Sequence, residues 1–213
     1  EAGSGCPPVV IRSTGWKSDE VRVRGDVSSQ FLSGLVMAAV RAWRGADGLN
    51  DHSVIRVHID GPLVSKSYVD MTLSVMRQWG IEAWWESPTT IRVSGVWESM
   101  PTSFAVEPDA SAASYFWAAA AVAGGRVAVG GLNRKSLQGD VRFVDVLEQM
   151  GCRVEECDAG ITVHGGRLRG IDADMNDISD TVMTLGAVAC FAEGPTTIRN
   201  VAHIRHKETD RIA

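Results

Sequence analysis

Three stretches of this chain share one pattern of polar and apolar positions. Each opens with Asp and, two residues later, Ser, and then continues into a run of small and apolar residues; the openings lie at 26–28, 109–111 and 177–179. Asp and Ser accept hydrogen bonds from the free N–H groups of a helix's first turn and are typical of helix N-termini. The pattern therefore predicts three helices that start at these openings and continue through the apolar stretches 31–40, 115–123 and 182–192.

The residues after these helices also repeat. A run rich in β-branched residues predicts a strand, a polar loop with cations follows, and a second apolar-faced helix comes next. That helix ends in Gly80 in the first copy and Gly151 in the second, and two short strands close the copy. The strands after the first helices are predicted at 54–59, 126–129 and 196–201. The closing pairs are predicted at 81–86 with 90–94 and at 153–157 with 161–164.

A further strand is predicted before each opening, so the unit is βαβαββ, present as two copies and part of a third. These leading strands are predicted at 21–24, 102–106 and 169–173. The second helices carry their apolar faces at Val69, Leu73 and Met76, and at Val141, Val144, Leu147 and Met150. The second helix of the third copy would contain Lys207, and we expect the printed chain to stop inside it.

The repeat implies parts of two domains rather than one. The boundary is predicted between Glu107 and Pro108, since proline disfavours helix at the residue before it. Residues 1–107 would then be the latter part of a first domain, and residues 108–213 the earlier part of a second. Residues 43–52 are predicted to form an exposed loop.

Composition narrows the class of function. The 213 residues carry 21 Lys and Arg against 26 Asp and Glu, a net charge of −5, which argues against nucleic-acid binding through a broad basic face. No uncharged apolar run reaches the roughly 18 residues of a membrane span. The four cysteines show neither a CxxC pair nor metal-ligand spacing with His, so we expect reduced thiols and a cytoplasmic protein.

Two segments offer groups that suit a phosphate. Ser28, Ser29 and Gln30 lie at a predicted helix start, where free N–H groups and the helix dipole favour an anion. Ser65 and Tyr68 lie in Ser-Lys-Ser-Tyr, before the second helix. The alternatives are plain helix capping in the first case and a solvated loop in the second.

Charged side chains concentrate in the third copy. Asp180 lies one turn into the predicted helix, where it is either a structural acid or a general base. Three fixed cations, two carboxylates and a His lie within 205–211. At helical spacing, Lys207, Asp210 and Arg211 would share one face. This cluster is either an amphipathic helix with ion pairs or a clamp for anionic substrates.

Taken together, these positions resemble the EPSP synthase family, the 3-phosphoshikimate 1-carboxyvinyltransferases. The segment Lys207-Glu208-Thr209-Asp210-Arg211 resembles the family's signature, and the matching stretches follow the family's order along nearly the whole chain. Those stretches are 27–32, 63–70, 109–121, 136–140, 174–180 and 207–211. The resemblance implies a mixed α/β fold in which βαβαββ units form inside-out α/β barrel domains.

The resemblance also implies a reaction and its participants. The family transfers the enolpyruvyl group of phosphoenolpyruvate to the 5-hydroxyl of shikimate 3-phosphate by addition and elimination, which releases phosphate. It implies no metal or other cofactor, small-molecule substrates, no nucleic-acid or membrane partner, and a monomer. The implied catalytic residues are Asp180, at the 5-hydroxyl, and Glu208, at the enolpyruvyl methylene carbon. The implied substrate-binding residues are Ser28, Ser29, Gln30, Ser65, Tyr68, His203, Lys207 and Arg211.

The sequence departs from the family in several respects, one of which is a ten-residue insertion near Trp43 that lengthens a connection. His203 stands where many members carry Asn, and several phosphoenolpyruvate-binding elements of the family have no counterpart here, so we expect the 213 residues alone to be inactive. Two other functions stay open. One is an enolpyruvyl transferase acting on UDP-N-acetylglucosamine, although that enzyme's catalytic-loop Cys is not evident here. The other is a non-catalytic binding or assembly module.

Overall fold

The computed structural model describes residues 10–12, 16–40, 54–94 and 101–213. Its first repeat follows the predicted βαβαββ order. The elements are β1 (Glu20–Arg24), α1 (Ser29–Ala39), β2 (Val54–Asp60), α2 (Lys66–Gln78), β3 (Glu82–Ser87) and β4 (Thr90–Ser94). Ser28 caps α1, since its hydroxyl accepts the Gln30 N–H at 3.2 Å. Gly80, at φ +72°, ends the α2 turn as predicted.

The strands of the first repeat form one sheet in the order β1-β2-β4-β3. β1 and β2 are parallel, and the other two pairs are antiparallel. One face of the sheet carries alternate apolar residues of β2 and β4, and both helices cover that face. The central side chains of this first core are Leu32, Val36, Ile55, Val57, Val69, Leu73, Ile91 and Val93.

The second repeat has the same strand arrangement. Its elements are α3 (Ala110–Ala123), β5 (Arg126–Gly130), α4 (Phe143–Gln149), β6 (Arg153–Cys157) and β7 (Gly160–His164), and a 3₁₀ turn, Gly139–Arg142, leads into α4. The sheet order β5-β7-β6, antiparallel throughout, matches β2-β4-β3 of the first repeat. The four apolar residues predicted for the helix face are all buried: Val141, Val144, Leu147 and Met150.

The third repeat contains β8 (Asp172–Asp174), a 3₁₀ turn (Asn176–Thr181), α5 (Val182–Ala189) and β9 (Thr197–Arg199). β8 and β9 are parallel, as β1 and β2 are in the first repeat. α5 packs against α3, where the hydroxyls of Ser114 and Thr184 lie 3.1 Å apart. The predicted mixed α/β fold and the repeat within it are therefore confirmed.

The buried apolar residues form two separate clusters. The first core lies within residues 32–93 and the second within residues 110–204. Trp117, Phe143 and Leu185 are fully buried in the second core. The predicted boundary between Glu107 and Pro108 falls between the two clusters, and it stays a prediction.

The predicted strand over 102–106 is wrong. These residues form no strand and pair with none of the described strands. Phe104 instead packs its ring 5.7 Å from that of Trp79, and the segment lies in a shared cleft beside Met71 and Val75 of α2. The apolar residues of this segment pack on a helix instead of joining a sheet. Alternation of apolar and polar residues alone does not distinguish these two arrangements.

A third leading strand and one loop were also predicted. The strand predicted over 169–173 is displaced, since Arg169 makes only an isolated bridge to Glu193 and β8 covers Asp172–Asp174. The loop predicted over 43–52 lies outside the described residues. Within the described ranges, no helix is both long and apolar enough to cross a bilayer.

Candidate functional site

The two cores meet at the N-terminus of α2, where Ser65 is 1% exposed. The Ser65 N–H donates to Asn176 Oδ1 at 3.1 Å, and its hydroxyl donates to the Asn176 carbonyl at 3.2 Å. The same hydroxyl oxygen lies 3.1 Å from Ser179 Oγ and 2.9 Å from His203 Nε2. Ser65 therefore joins the first half of the chain to three residues of the second.

The hydrogen bonds of the Ser65 hydroxyl indicate that Nε2 of His203 carries a proton. A hydroxyl has one proton to donate and accepts about two bonds. Since the Ser65 proton goes to the Asn176 carbonyl, His203 Nε2 carries a proton and donates it to Ser65. Burial and the nearby Lys207 charge lower the pKa of His203, which favours the neutral ring over the charged one.

Asn176 is itself held by the ends of β8 and β9. Its N–H donates to Asp174 Oδ1 at 3.0 Å, and its side-chain amide donates to the Asn200 carbonyl at 3.1 Å. Asn200 adopts a left-handed backbone, at φ +61°, and its side chain bonds the second oxygen of Asp174 at 2.6 Å. The two parallel strands thus present Asn176 to Ser65 in one fixed orientation.

Tyr68, one turn further along α2, makes a second link between the halves. Its hydroxyl donates to the carboxylate of Asp140, 2.9 and 3.1 Å from the two oxygens, and accepts the Asp180 N–H at 3.2 Å. Ser111 also donates to Asp140, at 2.6 Å. Burial, followed by the charges of Asp140 and Asp180, raises the pKa of Tyr68 far above its ordinary value, so it stays protonated.

Asp180 lies at the centre of the charged groups. Its Oδ1 lies 2.9 Å from Arg211 Nη1 and 3.4 Å from Lys207 Nζ. The Lys207 ammonium also lies 5.5 Å from the centroid of the Tyr68 ring, and its side chain is 5% exposed. The Asp180 carboxylate and the face of the Tyr68 ring hold this buried ammonium in place.

Glu208 is the exposed member of this cluster. Its carboxylate bonds Arg211 at 2.6 Å, and this contact, followed by a backbone hydrogen bond, lowers its pKa. Arg211 thus bridges both residues predicted to be catalytic, Asp180 and Glu208.

The expected helix over Lys207–Arg211 is not observed, which corrects the expectation of a shared helix face. After a 3₁₀ turn, Ala202–His206, Lys207 has extended backbone angles and bends follow. Asp210 accepts the N–H groups of Ile212 and Ala213 and bonds Arg205, so its side chain competes with helical backbone bonds. Lys207 and Arg211 both contact Asp180 without helical geometry.

The remaining predicted site residues lie at the start of α1. Ser28 and Ser29 are buried, at 5% and 3% exposure, whereas Gln30 is exposed. Among the described residues, no hydrogen bond joins these three to Tyr68, Asp180 or Lys207.

Two clefts flank the junction between the halves. One, of about 650 Å³, is lined by Ser111, Asp180, Arg211 and their neighbours. The other, of about 870 Å³, has His203 and Asn176 on one wall and Asp26 and Leu63 on the other. Ser65 and Tyr68 lie between them with their hydroxyl protons already donated to Asn176 and Asp140.

Sequence reasoning assigned no binding or catalytic role to four residues of this junction: Ser111, Asp140, Asn176 and Ser179. They lie 43 to 114 residues from Ser65 or Tyr68, so no local pattern could pair them. Three lie in or next to helix starts that the repeat did identify. That recurrence of polar residues at helix starts is the signal that could have found them.

Known proteins of one family match this chain along its whole length. The family model for EPSP synthase (3-phosphoshikimate 1-carboxyvinyltransferase) matches residues 1–213. The 3-phosphoshikimate 1-carboxyvinyltransferase of Serratia proteamaculans is 47% identical over 97% of this chain and 46% of its own length. That of Sulfurovum sp. is 46% identical, over 98% and 47%.

Solved structures agree with this match. EPSP synthase from Acinetobacter baumannii is similar with a TM-score of 0.64 at 25% identity, over 90% of this chain and 42% of that one. The enolpyruvyl transferase NikO from Streptomyces tendae, at 20% identity and a TM-score of 0.56, shares the fold over 84% of this chain and 44% of that one. The chain spans about half the length of the relatives it matches, and it belongs to the EPSP synthase family.

Proposed function

We propose that this chain carries the shikimate 3-phosphate side of an enolpyruvyl transfer site. The observation that carries the proposal is the convergence of Tyr68, from the first half, with Asp180, Lys207 and Arg211, from the second. Both substrates of the family are anions. The two cations here lie beside the Asp180 carboxylate, and Arg211 and Asp180 line a cleft. Family membership supplies the reaction, and the cluster supplies groups that suit it.

In the proposed reaction, one carbon–oxygen bond forms, to the 5-hydroxyl oxygen, and one breaks, to the phosphate. The 5-hydroxyl oxygen attacks the central carbon of phosphoenolpyruvate, Asp180 takes the hydroxyl proton, and Glu208 delivers a proton to the methylene carbon. Loss of that proton and of phosphate from the tetrahedral intermediate then gives the enolpyruvyl ether. Lys207 and Arg211 bind the anionic groups as a point charge and a planar fork.

The ion pairs of Asp180 suit this role. Its Oδ1 contacts both cations, Lys207 Nζ at 3.4 Å and Arg211 Nη1 at 2.9 Å. Anionic substrate groups would compete with Asp180 for these two cations, and the carboxylate oxygen would then be available to the 5-hydroxyl group.

The other expected substrate-binding residues already have hydrogen-bond partners within the protein or lie at the start of α1. His203, whose ring donates to Ser65, would reach substrate only through a changed hydrogen bond. A phosphate at Ser65 or Tyr68 would have to displace a protein partner of each hydroxyl. Ser28, Ser29 and Gln30 would contact substrate from the start of α1. We also propose the domain boundary at Glu107–Pro108, a monomer and a cytoplasmic location.

Calorimetry with shikimate 3-phosphate tests the proposal directly. We expect the chain to bind it and not UDP-N-acetylglucosamine. Lys207→Ala should weaken binding at least about tenfold, because a hydrogen bond to a charged group contributes about 1.5–3 kcal/mol. Lys135→Ala, at an exposed loop position, makes the same charge change and should leave the affinity as it is. Binding of the nucleotide sugar in preference would overturn the proposal.

Turnover separates the enzyme from a binding module. We expect the 213 residues alone to release no phosphate from the two substrates. Activity restored by mixing the chain with the remaining segments of a relative would support a site completed by those segments. Shikimate 3-phosphate binding with no activity in any such mixture would favour the non-catalytic alternative.

A further inference from the structure

We propose that Asp140 is a positioning residue that holds the Tyr68 side chain against the backbone of Asp180 and thereby orients Asp180 and Lys207. The geometric part of this inference stands on the contacts of these four residues. Its consequence for ligand binding rests on the proposed function.

Asp140 is a buried carboxylate held by hydroxyl groups. It lies in the 3₁₀ turn before α4 and is 2% exposed. Its oxygens accept from Tyr68 at 2.9 and 3.1 Å and from Ser111 at 2.6 Å, and none of the described cations forms an ion pair with it. A carboxylate in such a place is costly unless it is hydrogen-bonded, so these bonds hold it in one orientation.

Asp140 controls where the Tyr68 oxygen points. The phenolic group has one proton, which it donates to Asp140, and its lone pairs then face the Asp180 N–H at 3.2 Å. Without the carboxylate, the hydroxyl would be free to turn its proton toward another acceptor. The bond to Asp140 therefore makes Tyr68 an acceptor for the backbone of Asp180.

The consequence reaches Lys207 by two routes. The ring of Tyr68 lies 5.5 Å from the Lys207 ammonium, and the Asp180 carboxylate lies 3.4 Å from it. Both groups are fixed by the same phenolic oxygen, one through the ring and the other through the backbone. A shift of the ring would move the aromatic face and the carboxylate together, and Lys207 would lose both partners.

The burial of Asp140 agrees with this role. Burial is the main cause that raises the pKa of Asp140, and the bonds from Ser111 and Tyr68 oppose it. Asn at this position could accept the Tyr68 proton through Oδ1 and donate to Ser111 through its amide. Asp140→Asn is therefore a conservative variant that keeps the positioning bond, whereas Asp140→Ala removes it.

The first measurement follows Asp180 itself, by NMR of its backbone amide in the full 213-residue chain. Asp140→Ala and Tyr68→Phe should each shift this resonance and increase its hydrogen-exchange rate severalfold, while Asp140→Asn should lie near the unsubstituted chain. Asp158→Ala, which removes an exposed turn carboxylate, is the matched control and should change neither. An Asp180 amide that is unaffected by Asp140→Ala would overturn the proposal.

The second measurement is shikimate 3-phosphate affinity by calorimetry. Asp140→Ala should weaken it by roughly tenfold, as expected for loss of a charge-assisted hydrogen bond, with recovery in Asp140→Asn. The double variant with Tyr68→Phe should bind no more weakly than the weaker single variant, since both act through one oxygen. Effects that multiply would indicate independent structural damage and overturn the proposal.

The two measurements separate this inference from the proposed function. A chain that binds no shikimate 3-phosphate, yet whose Asp180 amide responds to Asp140→Ala, would overturn the function and support the positioning. If Asp140→Ala does not fold, Asp140→Asn and Tyr68→Phe decide. Positioning then requires a nearly unchanged Asp180 amide in the first and a shifted one in the second.

Discussion

At the scale of single residues, the junction depends on hydroxyl groups that are completely hydrogen-bonded. Ser65 donates once and accepts from two neighbours, and it does so from a left-handed backbone, at φ +52°. A non-glycine residue in this conformation is uncommon and is maintained by its surroundings. The contacts of Ser65 with Asn176, Ser179 and His203 are those surroundings.

Ser65→Ala should destabilise the chain by about 1–3 kcal/mol, because it leaves buried polar partners on the second half unsatisfied. Urea unfolding followed by circular dichroism measures this change. Ser103→Ala, at an exposed position, serves as the control and should have little effect. Equal stability of the two variants would mean that the Ser65 contacts do not contribute to folding.

His203 should make stability depend on pH in a narrow window. Its folded pKa is lowered from 6.5, so near and just below that pH the unfolded chain binds a proton that the folded chain does not. Stability should therefore fall as pH falls through this window, by at most about 1.4 kcal/mol per pH unit. The groups that set this pKa besides burial are Lys207, Asp180 and His206.

Urea unfolding between pH 7.5 and 5.5 checks the His203 prediction. His203→Asn should flatten the pH dependence, since Asn does not titrate. His206→Asn removes an exposed neighbour that makes the smallest of the contributions to the His203 pKa, so most of the slope should remain. A slope that His203→Asn leaves unchanged would assign the pH dependence to other groups.

At the scale of elements, the hydrophobic pattern predicted most of the helices and strands. Period-two alternation marks β2 and β4, whose inward residues are Ile55, Val57, Ile91 and Val93. The pattern failed for two segments. The predicted strand over 102–106 packs on a helix, and the predicted helix over 207–211 instead bonds to a carboxylate distant in sequence. In both places a tertiary contact replaced the local hydrogen-bonding pattern that the sequence favours.

The hairpin between β6 and β7 gives a test at this scale. Gly160 has φ +147°, and a Cβ there would collide with the Val129 carbonyl oxygen. Gly160→Ala should therefore force the backbone of β5 and β7 apart and lower the melting temperature strongly. Differential scanning calorimetry measures this melting temperature.

Gly34 provides the matched control for that substitution. It lies inside α1, and a Cβ there meets no atom within 4 Å. Gly34→Ala should raise stability by about 0.5–1 kcal/mol, because Ala loses less backbone freedom in a helix. Similar melting temperatures for the two variants would contradict the strain assigned to Gly160.

At the scale of the whole molecule, two apolar cores face each other across a polar junction. Each core contains the apolar face of its own sheet and helices, and the links between them are hydrogen bonds from Ser65, Ser67 and Tyr68. Polar contacts of this kind can be exchanged for water at small net cost.

Leu73→Ala tests the independence of the two cores. It should cost about 2–5 kcal/mol, since Leu73 is almost fully buried in the first core. Native-state hydrogen exchange with mass spectrometry should show the loss of protection in β1–β4 and α2, with little change in β5–β7. Equal loss in both regions would contradict a boundary at Glu107–Pro108.

The sequence by itself determined the repeat, the mixed α/β fold, the helix starts and the identity of the charged residues in the third repeat. These follow from local periodicity and capping, which depend on neighbours within a few residues. Only the tertiary structure decided that Tyr68 lies between Asp140 and Asp180, that Ser65 bonds His203, and that Lys207 and Arg211 share one carboxylate. Such pairs lie 27 to 138 residues apart, so only tertiary packing brings them together: packing between the halves for Ser65 and Tyr68, and packing within the second half for Lys207 and Arg211.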